Sequence, residues 1–152
     1  MTPSGFQYWN KHTLGVSRNR FAFCSTLSVY IYDLHTKKVE KILANHDATI
    51  TTFTWNPKDE NFFATTSVNG SMDVWDIEGE KSKIKIQLQS YKPVMTDWCG
   101  TDDNLIAFTV DSHEVRVANL QTGKIERLLQ FSATNTPTIC RWHPKKVRGY
   151  NP

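Results

Sequence analysis

The chain has 152 residues, a net charge of +3 and an ordinary globular composition with a rich aromatic share. So weak a positive balance does not argue for a nucleic-acid binder, and three widely spaced cysteines without a Cys-x-x-Cys pair form neither a disulfide framework nor a zinc module, which fits a reducing compartment. No apolar run approaches the roughly 18 residues that span a bilayer, and the N-terminus MTPSGFQYWNKH lacks an apolar signal core, so a cytoplasmic location is expected.

Residues 1–11 read as a lead-in, with a turn-like Thr2-Pro3-Ser4-Gly5 and three aromatics, Phe6, Tyr8 and Trp9, suited to packing down. A first unit over 12–43 has strand signals at His12–Ser17, Phe21–Ser25, Ser28–Asp33 and Lys38–Leu43. Gly15 weakens the first of these. A second unit over 46–90 has runs at Ile50–Trp55, Phe62–Ser67, Ser71–Asp76 and Lys83–Ser90. Asn69-Gly70 between two of its runs predicts a hairpin with a type I′ turn, in which both central residues have positive φ. A third unit over 93–131 has Pro93–Trp98, Leu105–Val110, Glu114–Asn119 and Ile125–Phe131, and Pro137–Trp142 opens a fourth. Residues 143–152 form a tail without a strand signal.

The period ties these units together. Trp55, Trp98 and Trp142 end comparable runs and stand 43 and 44 residues apart; Asp33, Asp76 and Asn119 recur every 43. Four antiparallel strands in about 40–45 residues, with a His near the start and Trp-Asp near the end, resemble one blade of a WD-repeat β-propeller. The expected fold is all-β: a partial WD-repeat β-propeller of three four-stranded blades plus the first strand of a fourth. A closed propeller typically has 4–8 blades, and closure removes the exposed sheet edges. The chain is therefore expected to be a piece of a longer protein, to be completed by another subunit, or to be held open inside an assembly.

Specific wording extends the resemblance. WNK at Trp9–Lys11, RFAFCSTLSVYIYDL at Arg20–Leu34 and ICRWH at Ile139–His143 resemble the N-terminal propeller of long WD-repeat proteins. Such proteins set propellers ahead of a helical solenoid and are similar in layout to coat and ciliary-transport subunits. The resemblance implies a non-enzymatic scaffold with further C-terminal bulk; Lys145–Pro152 depart from the expected continuation.

His46, Ser67 and Trp75 match three members of the hydrogen-bonded tetrad of WD repeats, with Asn69 where an Asp stands in the family. An amide in place of the carboxylate removes a charge-assisted bond, so this blade is expected to be pinned less strongly. Ser67 and His46 lack an orienting carboxylate or an oxyanion loop, so they read as structure and not as nucleophile and base. No catalytic, cofactor-binding or metal-binding residue is assigned; Cys140 with His143 has no second ligand pair.

Protein partners are expected on a rim of loops: Asn45, Asp47, Tyr91, Lys92, Asp111, His113, Thr134 and Asn135. Asp59-Glu60 and Asp102-Asp103 are expected to make one rim negative in alternate patches, usable for a basic protein partner. Lys81, Lys83 and Lys85 read as edge-strand lysines that oppose sheet aggregation. Nucleic acid is not the expected partner; the alternative is a nucleic-acid-associated propeller subunit of a ribonucleoprotein complex, which steep salt dependence would reveal.

Overall fold

The structure is a computed structural model that describes residues 12–89, 91–110, 113–132 and 139–144. The lead-in, residues 1–11, and the tail from Lys145 on lie outside these residues. Every regular element described is a strand, and the strands form three four-stranded antiparallel sheets in sequential order. The first holds β1 (Leu14–Val16), β2 (Arg20–Cys24), β3 (Val29–Asp33) and β4 (Val39–Leu43). The second holds β5 (Ile50–Trp55), β6 (Phe62–Ser67), β7 (Ser71–Asp76) and β8 (Lys81–Gln87); the third holds β9 (Pro93–Trp98), β10 (Leu105–Val110), β11 (Glu114–Asn119) and β12 (Ile125–Gln130).

Register shows the repeat position by position. Val16 pairs Phe21, which pairs Tyr32. The matching rows are Trp55, Phe63 and Trp75 in the second sheet, and Trp98, Ile106 and Ala118 in the third. Paired residues share a face, so each row lies on one side of its sheet. Asp33, Asp76 and Asn119 recur because each closes the same turn. Their side-chain oxygens accept the backbone N–H of Thr36, of Gly79, and of Gln121 and Thr122. A short polar side chain that bonds its own turn is what these residue types supply.

Two separate cores fill the sheet junctions. Ala22, Cys24, Val29, Ile31 and Leu43 of the first sheet pack on Phe53, Trp55, Phe63, Trp75 and Ile77 of the second. Ala64, Met72, Val74, Ile86 and Leu88 of the second pack on Trp98, Ile106, Phe108, Ala118 and Leu120 of the third. At each junction small and medium aliphatics meet a face richer in aromatics. Gly15 has a reason within this packing: a Cβ there would meet the Phe53 ring at 2.7 Å.

The turn after β6 differs from the expected type I′. Val68, Asn69 and Gly70 form a three-residue connection, closed by Gly70 N–H donating to the Ser67 carbonyl at 2.9 Å. Gly70 alone of these has a positive φ, +76°. A Cβ on it would meet the Gln89 carbonyl at 2.9 Å, so the glycine serves close approach as well as conformation. β8 also starts earlier than Lys83 and ends at Gln87, because the Leu88 N–H turns to the Gly70 carbonyl.

Residues 139–144 carry no ladder pairing but lie along β9. Trp142 N–H donates to Asp97 Oδ2 at 2.6 Å, and its indole N–H donates to the Asp97 carbonyl at 2.9 Å. β9 leans on β5 in the same way, with Trp98 N–H donating to Thr54 Oγ1 at 3.3 Å. The segment therefore sits where the innermost strand of a fourth blade starts; residues 137 and 138 lie outside the described residues.

Candidate functional site

The loop before β5 is locked to its sheet through one hydroxyl. The Trp75 indole N–H donates to Thr65 Oγ1 at 2.9 Å, and the same oxygen lies 2.9 Å from His46 Nε2. The His46 and Trp75 rings are 4.4 Å apart. The threonine proton is free to be donated to Nε2, so the neutral ring carries its own proton on Nδ1. His46 Nδ1 is buried on the side of the Leu27 backbone. Burial pushes the imidazole down to about 4, against the opposing pull of the Leu27 backbone and Asp47.

The hydroxyl in this relay is Thr65, where the sequence reading placed Ser67. Ser67 Oγ instead donates to Asn69 Oδ1 at 2.6 Å and lies 2.6 Å from Ser71 Oγ, which donates to Asp73 Oδ2 at 3.0 Å. The four expected residues thus fall into two networks, one holding the loop and one tying the turn. Register could have separated them. Trp75 pairs Phe63, and Thr65 is the next residue along β6 that shares its face, whereas Ser67 lies one pair beyond, at the turn.

Strand direction places Asn45, Asp47, Tyr91, Lys92 and His113 at one end of the sheets, since they precede β5, β9 and β11. Asn45, Asp47 and Lys92 are exposed. Asp47 pairs with Lys85 at 2.8 Å, which holds its carboxyl below the usual range. Tyr91 is half-buried, with the Arg116 guanidinium 3.9 Å over its ring. His113 is half-buried at φ +61°, and its carbonyl accepts the Phe131 N–H. Asp111, Thr134 and Asn135 lie outside the described residues.

The opposite end is stitched and not free. Glu60 accepts from Ser17 Oγ at 3.0 Å, Asn19 N at 3.0 Å and Asn19 Nδ2 at 2.6 Å, while Arg20 donates to the Glu60 carbonyl at 3.0 Å. The Asn19 side chain is the main cause that lowers the Glu60 pKa. Lys58 pairs with Asp103 at 3.0 Å across the second junction. The acidic loops expected to be a negative docking rim therefore spend Glu60 and Asp103 on holding neighbouring sheets together. Two of the three lysines of β8 are also engaged: Lys83 with Asp76 at 3.2 Å, and Lys85 with Asp47.

Strands β1, β5 and β9 line an open groove of about 700 Å³ that takes in Arg18, Trp55, Glu60, Asp97 and Arg141. Its charges are mixed, and burial pushes the Asp97 carboxyl up against the pull of the Trp142 N–H and Arg141. Among the described residues no group of three or more His, Cys, Asp or Glu could hold a metal ion, and no helix is long and apolar enough to cross a membrane. Burial raises the thiols of Cys24 and Cys140, away from the reactive thiolate.

Three sheets repeated every 43 to 44 residues, each begun by an inner strand and one locked by a His–Thr–Trp relay, define an open WD-repeat β-propeller module. The profile of the family described as Eukaryotic translation initiation factor eIF2A matches residues 16–122, more than half of the chain, and the chain belongs to that family. It is 26% identical over 110 residues to a WD repeat-containing protein of Dictyostelium discoideum, covering 69% of this chain and 6% of that one. It is 24% identical over 106 residues to Coatomer subunit beta'-2 of Arabidopsis thaliana, covering 69% and 11%. Protein transport protein SEC31 of Pyricularia oryzae is 26% identical over 121 residues, covering 76% and 9%. The chain thus spans only a small part of these relatives' lengths. The crystal structure of the Swd1 β-propeller domain from Myceliophteria thermophila superposes with a TM-score of 0.67 at 16% identity, covering 83% of this chain and 39% of that one, which shows the fold.

Proposed function

We propose that the chain is a non-enzymatic protein-interaction scaffold, part of a larger WD-repeat protein that works inside a multi-subunit cytoplasmic assembly. The observation that carries this reading is how the polar side chains of the blades are used. His46, Thr65, Glu60, Lys58 and Lys85 are all engaged in fixing loops and sheets, which leaves Asn45 and Lys92 on one rim as exposed polar groups at loop positions. Relatives named as a coatomer subunit and a protein transport protein support an assembly of the vesicle-coat kind. The wording of Arg20–Leu34 and Ile139–His143 resembles the N-terminal propeller of WD repeat-containing protein 17, which supports a parent protein of that layout and leaves a ciliary setting as a variant of the same reading.

The test is partner capture by the full-length parent carrying Asn45→Ala and Lys92→Ala together. The expected result is at least a tenfold loss of capture with an unchanged melting temperature, since exposed rim substitutions typically cost under about 0.5 kcal/mol of stability. Loss of capture together with a lowered melting temperature overturns the assignment of the rim. The ribonucleoprotein alternative draws no support from β8, where Lys83 and Lys85 are already paired with carboxylates.

A further inference from the structure

The turn after β6 surrounds an Asn-Gly pair with more donors than closing a hairpin requires. Asn69 is exposed, and Gly70 follows it at φ +76°. Two donors converge on the side-chain oxygen of Asn69: Ser67 Oγ at 2.6 Å and the Ser71 N–H at 3.1 Å. A third, Gln87 Nε2, donates at 3.1 Å to the Asn69 main-chain carbonyl. That carbonyl belongs to the peptide bond whose nitrogen is Gly70 N. The Gly70 N–H is closed onto the Ser67 carbonyl at 2.9 Å, the bond that gives way when the proton leaves.

We infer that Asn69-Gly70 is a site of spontaneous covalent modification, where the native turn promotes loss of the Asn69 amide as ammonia and leaves a carboxylate in its place. The chemistry follows from where negative charge develops. Solvent hydroxide removes the Gly70 amide proton, and the charge spreads onto the Asn69 main-chain oxygen, where Gln87 donates. The Gly70 nitrogen then forms a bond to Asn69 Cγ. The charge passes to Oδ1, where Ser67 and Ser71 donate. Donors already aimed at an oxygen that becomes charged stabilise the step without reorganisation. The Cγ–Nδ2 bond breaks, and the nitrogen leaves as ammonia with a proton from water. The resulting five-membered imide takes up one water. Opening at Cγ yields aspartate, and opening at the main-chain carbonyl yields isoaspartate. One water is consumed, one ammonia is released, and no electron is transferred. Confinement of Gly70 selects between the products. Isoaspartate lengthens the main chain by one carbon just before Gly70. The Gly70 carbonyl is bound by the Leu88 N–H at 2.7 Å, and a Cβ on this residue would already stand 2.9 Å from the Gln89 carbonyl oxygen and 3.1 Å from that of Tyr91. Aspartate leaves the main chain as it is and offers Ser67 and Ser71 a charged acceptor, which binds more strongly than an amide. The turn lies at the end of the sheets that carries Asn45, so the reaction adds a negative charge there. The inference does not need the scaffold reading, so either can fail alone.

The experiment incubates the freshly purified full-length parent protein, folded, in heavy-oxygen water at neutral and at mildly alkaline pH. Peptide mass spectrometry reads the acid at residue 69, and labelling by an isoaspartyl methyltransferase reads isoaspartate. The expected result is heavy oxygen gained at residue 69, a rate that rises with pH, and a mainly aspartyl product. Gln87→Leu removes one donor from an exposed side chain and should slow the reaction roughly fivefold, the scale of one hydrogen bond. Gln87→Met, of nearly the same length, carries the same comparison should Gln87→Leu disturb β8. The chain unfolded in urea loses all three placed donors, so it should react more slowly than the folded protein and give mainly isoaspartate. A folded rate at or below the unfolded rate overturns the inference, because the turn would then protect Asn69. An equal rate in the parent and the Gln87 variants also overturns it, since only the ordinary lability of an Asn-Gly pair would remain.

Discussion

Thr65 serves two buried partners with one oxygen, the Trp75 indole N–H and the His46 Nε2. Removing the hydroxyl leaves a buried donor and a buried ring nitrogen without a bond, at about 1–3 kcal/mol each. Thr65→Ala should therefore destabilise by roughly 2–4 kcal/mol, measured by urea denaturation. Ser67→Ala should cost less, about 1 kcal/mol, because Asn69 and Ser71 retain each other through Ser71 N–H. Equal costs would mean that the relay does not run through Thr65. The same cluster sets a pH dependence. The His46 pKa is depressed by burial to about 4 from its ordinary 6.5, so the unfolded chain binds the proton more readily between those values. Stability is then full above about pH 6.5 and declines as pH falls toward 4, by up to the order of 3 kcal/mol. His46→Leu should flatten the melting temperature between pH 6.5 and 5, above the range where carboxylates titrate; an unchanged slope would assign it to another group. Sequence alone could locate His46 and Trp75 but not their shared partner. Thr65 and Ser67 lie two apart on one strand, so both face the same way, and only cross-strand register tells which meets the indole.

At the scale of elements, the junction between the first two sheets is held at one end by a single carboxylate. Glu60 takes both hydrogen-bonding groups of Asn19 and the hydroxyl of Ser17, and Arg20 holds its backbone. A carboxylate that accepts several N–H and O–H donors is a stronger anchor than a simple ion pair, though solvent access at this edge moderates it. A double-mutant cycle with Glu60→Ala and Asn19→Ala should give a coupling of about 1 kcal/mol. A coupling near zero would mean the loops meet without holding one another. Composition suggested a negative rim here, because Asp59-Glu60 and Asp102-Asp103 read as free charge when taken locally. Their partners come from 41 to 45 residues away in the chain, at the distance of one repeat. The strands themselves were far more legible. β5, β6, β7, β9, β10 and β11 span the residues that their apolar and threonine runs marked, since pairing and burial both follow that alternation. The turn type was misjudged because Asn-Gly allows either a two-residue or a three-residue connection, and the close approach of Gln89 and Tyr91 to Gly70 decided between them.

For the whole molecule, the division into two cores matters more than any one contact. No residue of the first core belongs to the second, and the second sheet contributes opposite sides to each. Stability in such an array is a sum of sheets and nearest-neighbour junctions, so damage should stay near its junction. Phe63 is fully buried in the first core and Phe108 in the second. Either Phe→Ala change removes a large ring, at about 3–5 kcal/mol. Native-state hydrogen exchange should then show Phe63→Ala lowering protection in β2, β3, β6 and β7 while β10 and β11 keep most of theirs. Phe108→Ala should spare β2 and β3 in turn. The polar bonds across the second junction, Thr52 to Thr96 and Trp98 N–H to Thr54, set how much coupling leaks through. If either variant lowers protection equally in all three sheets, the molecule unfolds as one cooperative body. If protection falls locally, each junction melts on its own, and the sheet whose junction is left intact keeps its protection.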